Sequence, residues 1–469
     1  MRPGSPKPTG IMKQDNRKEA NTEASTTSNA PEKTGWKVAL AVNACRLLLA
    51  AAFIFSGFVK AIDPLGTQYK IGDYLEALHV EQHIPSWATL AASVLLAAVE
   101  FCLGILMLFA IRRRQVSRAI VAFMVVMTAV TVWLAGWNPI QDCGCFGDAI
   151  HLTNGQTLMK NIALLALSVV VAWRPLAMVR FISKTNQWIV IHYTIFFIFI
   201  SAGLSLWYLP LFDFRPYHIG ANIPKGMEIP KNAKQAKFET TFILEKDGVR
   251  KEFSLDSYPD STWTFIDSKT VEVEKGFEPP IRDFSITDPA SGEDITAKVL
   301  GHKGYTFLLI APYLEHADDT NFGEIDRIHE YSRAHHYPFI ALTASGEEGV
   351  AHWRDLTGAE YPFYNTDGTT LQTIIRSNPG LLLLRDGVVI NKWSHNALPT
   401  MEELRKPLEK IALGHIPAND TWRRMMTIIS WYVLPLLALT VADSLWQWTR
   451  WMKRRRQRKR EEAAATGGQ

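Results

Sequence analysis

The chain has 469 residues, a formal net charge of +4 and 47% hydrophobic residues, with four cysteines. The length allows two to four domains, and so few cysteines over it exclude a scaffold held together by a disulfide framework. The small net charge decides little, because the positive charge is localised.

Residues 1–37 are polar and rich in Pro, Ser, Thr, Asn and Lys. They lack the apolar core of a signal peptide and read as a disordered tail. A membrane span needs roughly 20 apolar residues to cross about 30 Å of hydrocarbon. Six stretches qualify, at about 38–59, 87–111, 119–137, 157–173, 188–211 and 427–448. The fourth is the shortest and carries Lys160 near its start. Orientation follows from the cations of short loops. "RRRQVSR" joins the second and third spans, "RPLAMVRFISK" joins the fourth and fifth, and "RWMKRRRQRKR" follows the last. Residues 138–156 hold no Lys or Arg, and residues 61–86 hold more acids than bases. The bias predicts both termini in the cytoplasm, with 138–156 and residues 212–425 on the far side. The basic C-terminal block, residues 449–469, reads as a topogenic signal, and no nucleic-acid partner is expected.

Inside the first two spans, Arg46 and Glu100 lie at similar depth, roughly 12–16 Å below the basic surface at 1.5 Å per residue. Unpaired ions there are costly, which predicts an Arg46–Glu100 pair in a helix bundle, serving either as a polar binding site or as a lock on register. Cys45 and Cys102 fall beside them and read as packing residues. His192 and Asp443 in the last two spans read as packing and interface groups.

Between the third and fourth spans lies "NPIQDCGCFGDAIH". Cys143 and Cys145 are close enough for a disulfide, with Gly144 supplying the backbone freedom of so tight a ring. Strain would make that bond a good oxidant, and the helix N-terminus near Thr157 would favour a thiolate. A stable structural bridge, or a metal site completed by Asp142, Asp148 and His151, are the alternatives. The balance leans to redox.

Together "RLLLAAAFIFSGFVKAIDPLG", "AAVEFCLGILML" and "DCGCFGD" resemble the DoxX/MauE group of redox-associated membrane proteins over about residues 38–175. The resemblance implies a four-helix bundle and a role in disulfide formation or envelope-protein maturation. It also makes a quinone the candidate carrier where the sequence itself names no cofactor.

Residues 212–239 read as a Pro- and Lys-rich linker, and residues 240–275 as a β-rich extension with a hairpin turning at Asp247-Gly248. Beyond about 276 the pattern alternates. Strands are expected at "YTFLLIA", "YPFIALTA", "YPFYNTD" and in the hairpin "LLLLRDGVVINKW". Helices are expected at about 321–335, 347–357, 369–376 and 400–413. The order resembles the peroxiredoxin and TlpA-like branch of the thioredoxin-like fold over residues 276–415. "PPIRDFSITDPASGEDIT" takes the place of its opening strand pair, and Pro379 that of its cis-proline. The region departs from that branch decisively, since no cysteine follows Cys145. His302, His316, His335, His336, Trp353 and His395 are scattered and read as surface or core residues.

The expected class is thus a multi-domain membrane protein, an α-helical bundle plus an α/β thioredoxin-like extracytoplasmic domain, in the cell inner membrane. Cys143 and Cys145 are the candidate exchange pair, and Arg46, Glu100 and Pro379 the candidate binding residues. The expected partners are the bilayer and an envelope thiol/disulfide protein. The rival reading is a non-enzymatic tethered scaffold with a structural CGC bridge.

Overall fold

The structure is a computed structural model describing residues 35–140, 142–234, 237–246, 249–254, 263–274, 276–282, 284–417 and 421–466. The expected N-terminal tail and the Asp247-Gly248 turn fall outside the described residues, apart from residues 35–37.

Among the described residues, six helices are long and apolar enough to cross a membrane. They are α1 (Trp36–Ile62), α3 (Ser86–Leu108), α4 (Arg113–Trp137), α5 (Asn154–Trp173), α6 (Gln187–Trp207) and α12 (Thr421–Thr466). The chain is a multi-pass membrane protein. Between the first two lies α2 (Pro64–Ala77), which starts with Pro at its first position and with the Asp63 carboxylate accepting from Gly66 N. This is an ordinary helix N-terminus, set within the acid-rich stretch 61–86. Thr153 and Gln156 close a capping box that starts α5 three residues earlier than the hydropathy alone implies. Helix α12 continues as one helix into the basic C-terminal block.

Glycines set the spacing of the bundle. A Cβ at Gly57 would sit on the backbone of Ala97 and Phe101, and one at Gly104 on the backbone of Ile54. Helices α1 and α3 therefore touch backbone to backbone, as small residues permit in membranes. Helices α6 and α12 pack through Tyr432, whose ring lies 4.3 Å from that of Phe197 and whose hydroxyl meets Thr194 Oγ1 at 2.8 Å. Asp443 accepts from Ser183 and Asn186 at the start of α6, the interface role expected of it. His192 contacts the Trp188 carbonyl of its own helix.

Strands β1 (Lys237–Lys246), β2 (Val249–Ser254) and β3 (Thr264–Glu274) form an antiparallel sheet in the order β2-β1-β3. After the short helices α7 (Ile223–Met227) and α8 (Thr296–Leu300), a second sheet combines β4 (Tyr305–Ile310), β5 (Phe339–Thr343), β6 (Phe363–Asn365), β7 (Gly380–Arg385) and β8 (Val388–Ser394). Its order is β6-β5-β4-β7-β8, with β4, β5 and β6 parallel and β7 and β8 antiparallel. Helices α9 (Phe322–Ala334), α10 (Glu347–Thr357) and α11 (Gly368–Ile374) connect the strands. This is the thioredoxin-like arrangement. Phe307 and Leu309 face a core with Ile325, Ile328 and Trp353, and Leu308 and Ile310 face another with Leu371 and Ile374. A sheet covered on both faces explains why "YTFLLI" is apolar at every position.

Three expectations for this region fail. The opening strand pair is reduced to isolated bridges at Thr287, opposite Asp294 and Asn365. The helix expected at 400–413 is replaced by turns with short 3-10 segments at Leu408–Lys410 and Ala412–Gly414, because Pro407 interrupts it. The stretch read as a linker is partly core: Tyr217, Ala221 and Ile223 are buried, and Asn222 bridges to Val388.

Candidate functional site

The loop from α4 to α5 is pinned at its base by Asn154, whose amide donates to Asn138 Oδ1 and to the Ile140 carbonyl. At its tip, Gly144 adopts φ +64°, a left-handed conformation natural to glycine. Asp142 accepts from the Gly144 amide and pairs with His151 at 3.1 Å. The two sulfurs stand 2.7 Å apart. Neither faces water freely: Cys143 is 7% and Cys145 9% exposed. Either thiol can donate across this contact; with Cys143 as the donor, the bond lowers the Cys145 pKa to about 6 against the opposing effect of burial, with Lys160 and Lys60 adding attraction. The same hydrogen bond, together with burial, drives Cys143 upward. The pair is thus polarised into a donor thiol and a stabilised thiolate.

A charged cradle holds Cys145 from below. Lys60 Nζ meets Glu100 Oε2 at 2.7 Å, and both side chains are 4% exposed. Ser56 donates either to Glu100 or to the Cys145 carbonyl, each at 2.7 Å, and Lys60 donates to that same carbonyl at 2.9 Å. Ser56 and Lys60 lie one turn apart on α1 and flank Gly57, so the close approach to α3 is what brings Glu100 within reach. A small cavity of about 30 Å³, lined by Ser56, Lys60, Glu100, Cys145, Lys160 and Asn161, adjoins the thiolate. That is room for about one water molecule. Tyr74 of α2 donates to the Cys143 carbonyl at 3.1 Å, and Lys160 lies 4.2 Å over the Phe146 ring.

The expected Arg46–Glu100 pair does not form. With Gly57 against Phe101 and Gly104 against Ile54, the helix register puts Arg46 beside the basic end of α3, roughly 20 Å along the axis from Glu100. The Arg46 guanidinium donates to the Val179 carbonyl and lies 4.8 Å over Phe181, tying down the α5–α6 connection. Counting depth from each helix end failed because α1 overhangs α3. The same register sets Glu100 next to the CGC loop, one hydrogen bond from the Ser56 and Lys60 groups that hold the Cys145 carbonyl. Lys60 was missed because a lysine near a helix end reads as a snorkelling residue. Cys45 and Cys102 are half-buried free cysteines. Among the described residues no three His, Cys, Asp or Glu side chains converge as a metal site. Asp148, one of the suggested ligands, is turned to another partner.

That partner is Arg376, in the loop leading to Pro379. Its guanidinium reaches both Asp63 oxygens at 3.0–3.1 Å and Asp148 at 3.0 Å, and stacks 5.2 Å over Tyr69. The α/β region is thereby clasped to the CGC loop and to the α1–α2 junction. Burial works against the buried Arg376 charge, but the two carboxylates hold its pKa above the ordinary value. The Asn378–Pro379 bond is cis, as the resemblance implies. Around it, Asn378 donates to the Tyr313 carbonyl, and Ser377 contacts Pro379 O and His395. The segment after β4, where the thioredoxin-like family places its cysteines, carries Tyr313, Glu315, His316 and Asp318 instead.

A second buried cluster joins the α/β region to the end of α6. Asp213 pairs with Arg215 at 2.7 Å and with Lys392 at 2.8 Å, and both cationic side chains are 3% exposed. Burial lowers Lys392 to about 8, with Asp213 opposing. Burial alone would raise the Asp213 carboxyl, but the two cations hold it below the usual range.

Residues 38–174 match the family model described as methylamine utilisation protein MauE, and residues 238–275 match a domain of unknown function, DUF8463. No curated protein matches the chain. A solution structure of a protein provisionally named a protein disulfide isomerase, from Bacteroides thetaiotaomicron, matches at 16% identity. It covers 30% of this chain and 91% of its own, with a TM-score of 0.23. A membrane region similar to MauE over residues 38–174 is thus carried on one chain with a thioredoxin-like α/β region.

Proposed function

We propose that this is a redox-associated protein of the inner membrane that exchanges disulfides through Cys143 and Cys145. The cation bias of its loops supports a cytoplasmic position for both termini, with the CGC loop and residues 212–425 in the periplasm. The observation that carries the reading is the polarised sulfur pair seated on the Lys60–Glu100–Ser56 cradle. A lower pKa makes the better leaving group. In the oxidised form, a thiolate of an envelope dithiol protein attacks Cys143 Sγ, and the electron pair of the breaking S–S bond passes to Cys145. The partner's second thiolate then attacks the mixed disulfide, leaves as the partner's disulfide, and releases Cys143, which takes a proton. Reoxidation passes two electrons from the Cys143 thiol and the Cys145 thiolate to a lipid-soluble quinone, which takes one proton from Cys143 and one from solvent, giving quinol and restoring the bond. Pro379 would sit in the groove where the partner's chain docks.

The cysteine-free α/β region favours one rival: a tethered scaffold in which the CGC loop is a static bridge. Trapping thiols in intact cells with a mass-adding alkylator separates the two. An exchange centre is found partly reduced, and Cys145→Ser accumulates a mixed disulfide through Cys143. A pair that stays fully oxidised and tolerates two serines supports the scaffold.

A further inference from the structure

A cleft of about 750 Å³ opens on the CGC side of the bundle, where α6 ends, α12 begins and β8 lies above both. Its floor is the Asp213–Arg215–Lys392 cluster, in which one carboxylate serves two buried cations and leaves an excess positive charge. The two cations outnumber the carboxylate within the cluster, which makes the floor of the cleft locally attractive to an anion. At the rim, Arg423 and Arg424 begin α12, both exposed, and among the described residues neither has an ion pair. They stand opposite the basic loops, where the topogenic bias does not call for cations. Leu204, Leu211 and Ile428 give the same cleft an apolar wall running down the bundle. Trp207, Tyr208 and Trp422, all exposed, mark the depth of a membrane–water interface.

We propose that this cleft seats the headgroup of an anionic phospholipid, with its phosphate between the Arg423–Arg424 pair and the buried floor and its acyl chain against α6 and α12. A basic pocket between membrane helices is a recurrent lipid-headgroup site. The lipid bridges bundle and α/β region at a point separate from the Arg376 clasp, and the assignment does not depend on the thiol chemistry.

The test uses the full chain, stripped of lipid in detergent and titrated with phosphatidylglycerol, phosphatidylcholine or inorganic phosphate. Melting midpoint and lipid retention in native mass spectrometry are the two readouts. Phosphatidylglycerol is expected to raise the midpoint and to be retained several-fold more than phosphatidylcholine. In Arg423→Gln/Arg424→Gln that preference falls to near parity while the lipid-free midpoint is unchanged. Equal retention of both lipids by the wild type overturns the proposal without recourse to any variant. So does a double variant that keeps the preference, or a shift reproduced by inorganic phosphate alone.

Discussion

The two halves of the molecule divide what a thioredoxin-like protein usually combines. The α/β region keeps the sheet, the flanking helices and the cis-proline loop, yet no cysteine lies in it. The membrane bundle holds all four cysteines and presents two of them in a loop whose geometry owes nothing to that fold. The join between the halves is as instructive as the difference. The arm that reaches the CGC loop, Arg376, stands three residues before Pro379, so the cis-proline loop is held beside the sulfurs.

The sharpest break to this contrast is electrostatic. Glu100→Gln leaves the Lys60 ammonium buried without a counter-ion, an expected loss of about 3–5 kcal/mol. Melting in detergent reads this directly. Lys60→Met/Glu100→Leu, which removes both charges, should recover most of the stability while still disturbing the Cys145 carbonyl. Wild-type stability in Glu100→Gln would mean that the bundle does not depend on its cradle.

Removing the Arg376 clasp comes next. Arg376→Gln leaves Asp63 and Asp148, both partly exposed, without their shared cation, for about 1–3 kcal/mol. The expected signature is faster proteolysis between α6 and β4, and several-fold faster alkylation of Cys143 and Cys145. Unchanged alkylation would mean that the α/β region does not shield the sulfurs.

Thiolate absorbance against pH sharpens the assignment within the pair. Cys145 is held near 6, below the ordinary thiol value of about 8.5, so its thiolate persists between those limits and is lost as pH falls through about 6. By linkage, the stability it contributes is complete above the unfolded value and fades through that same window on acidification. In Cys143→Ser the midpoint should climb towards the ordinary value. A wild-type midpoint near 8.5 would remove the polarisation. The smallest effect is expected at Gly144→Ala, about 1 kcal/mol for forcing a Cβ into a left-handed residue, read in the same melting assay.

Much of this was legible in the sequence. Spans announce themselves by length and apolarity, and a doubly covered sheet by unbroken runs such as "YTFLLI". The CGC loop was visible as the glycine-spaced pair between two spans. What stayed hidden depends on register and on distance along the chain. Helix α2 carried a readable signal in Asp63-Pro64, but its mixed composition masked it. Lys60, rather than Arg46, as the partner of Glu100 could be found only by aligning α1 on α3, which Gly57 and Gly104 do in three dimensions. Arg376 lies in a loop with no motif of its own, and its partners are more than 200 residues away in sequence.

A single turn of α1 does two jobs. Gly57 admits the neighbouring helix, while Ser56 and Lys60, on either side of it, grip the carbonyl that carries Cys145. The height of a reactive sulfur is therefore gauged by how near two rods can lie. One methyl group added between α1 and α3 would be felt as a misplaced atom in the loop above them, so the chemistry has its tolerance machined into a contact between two helix backbones.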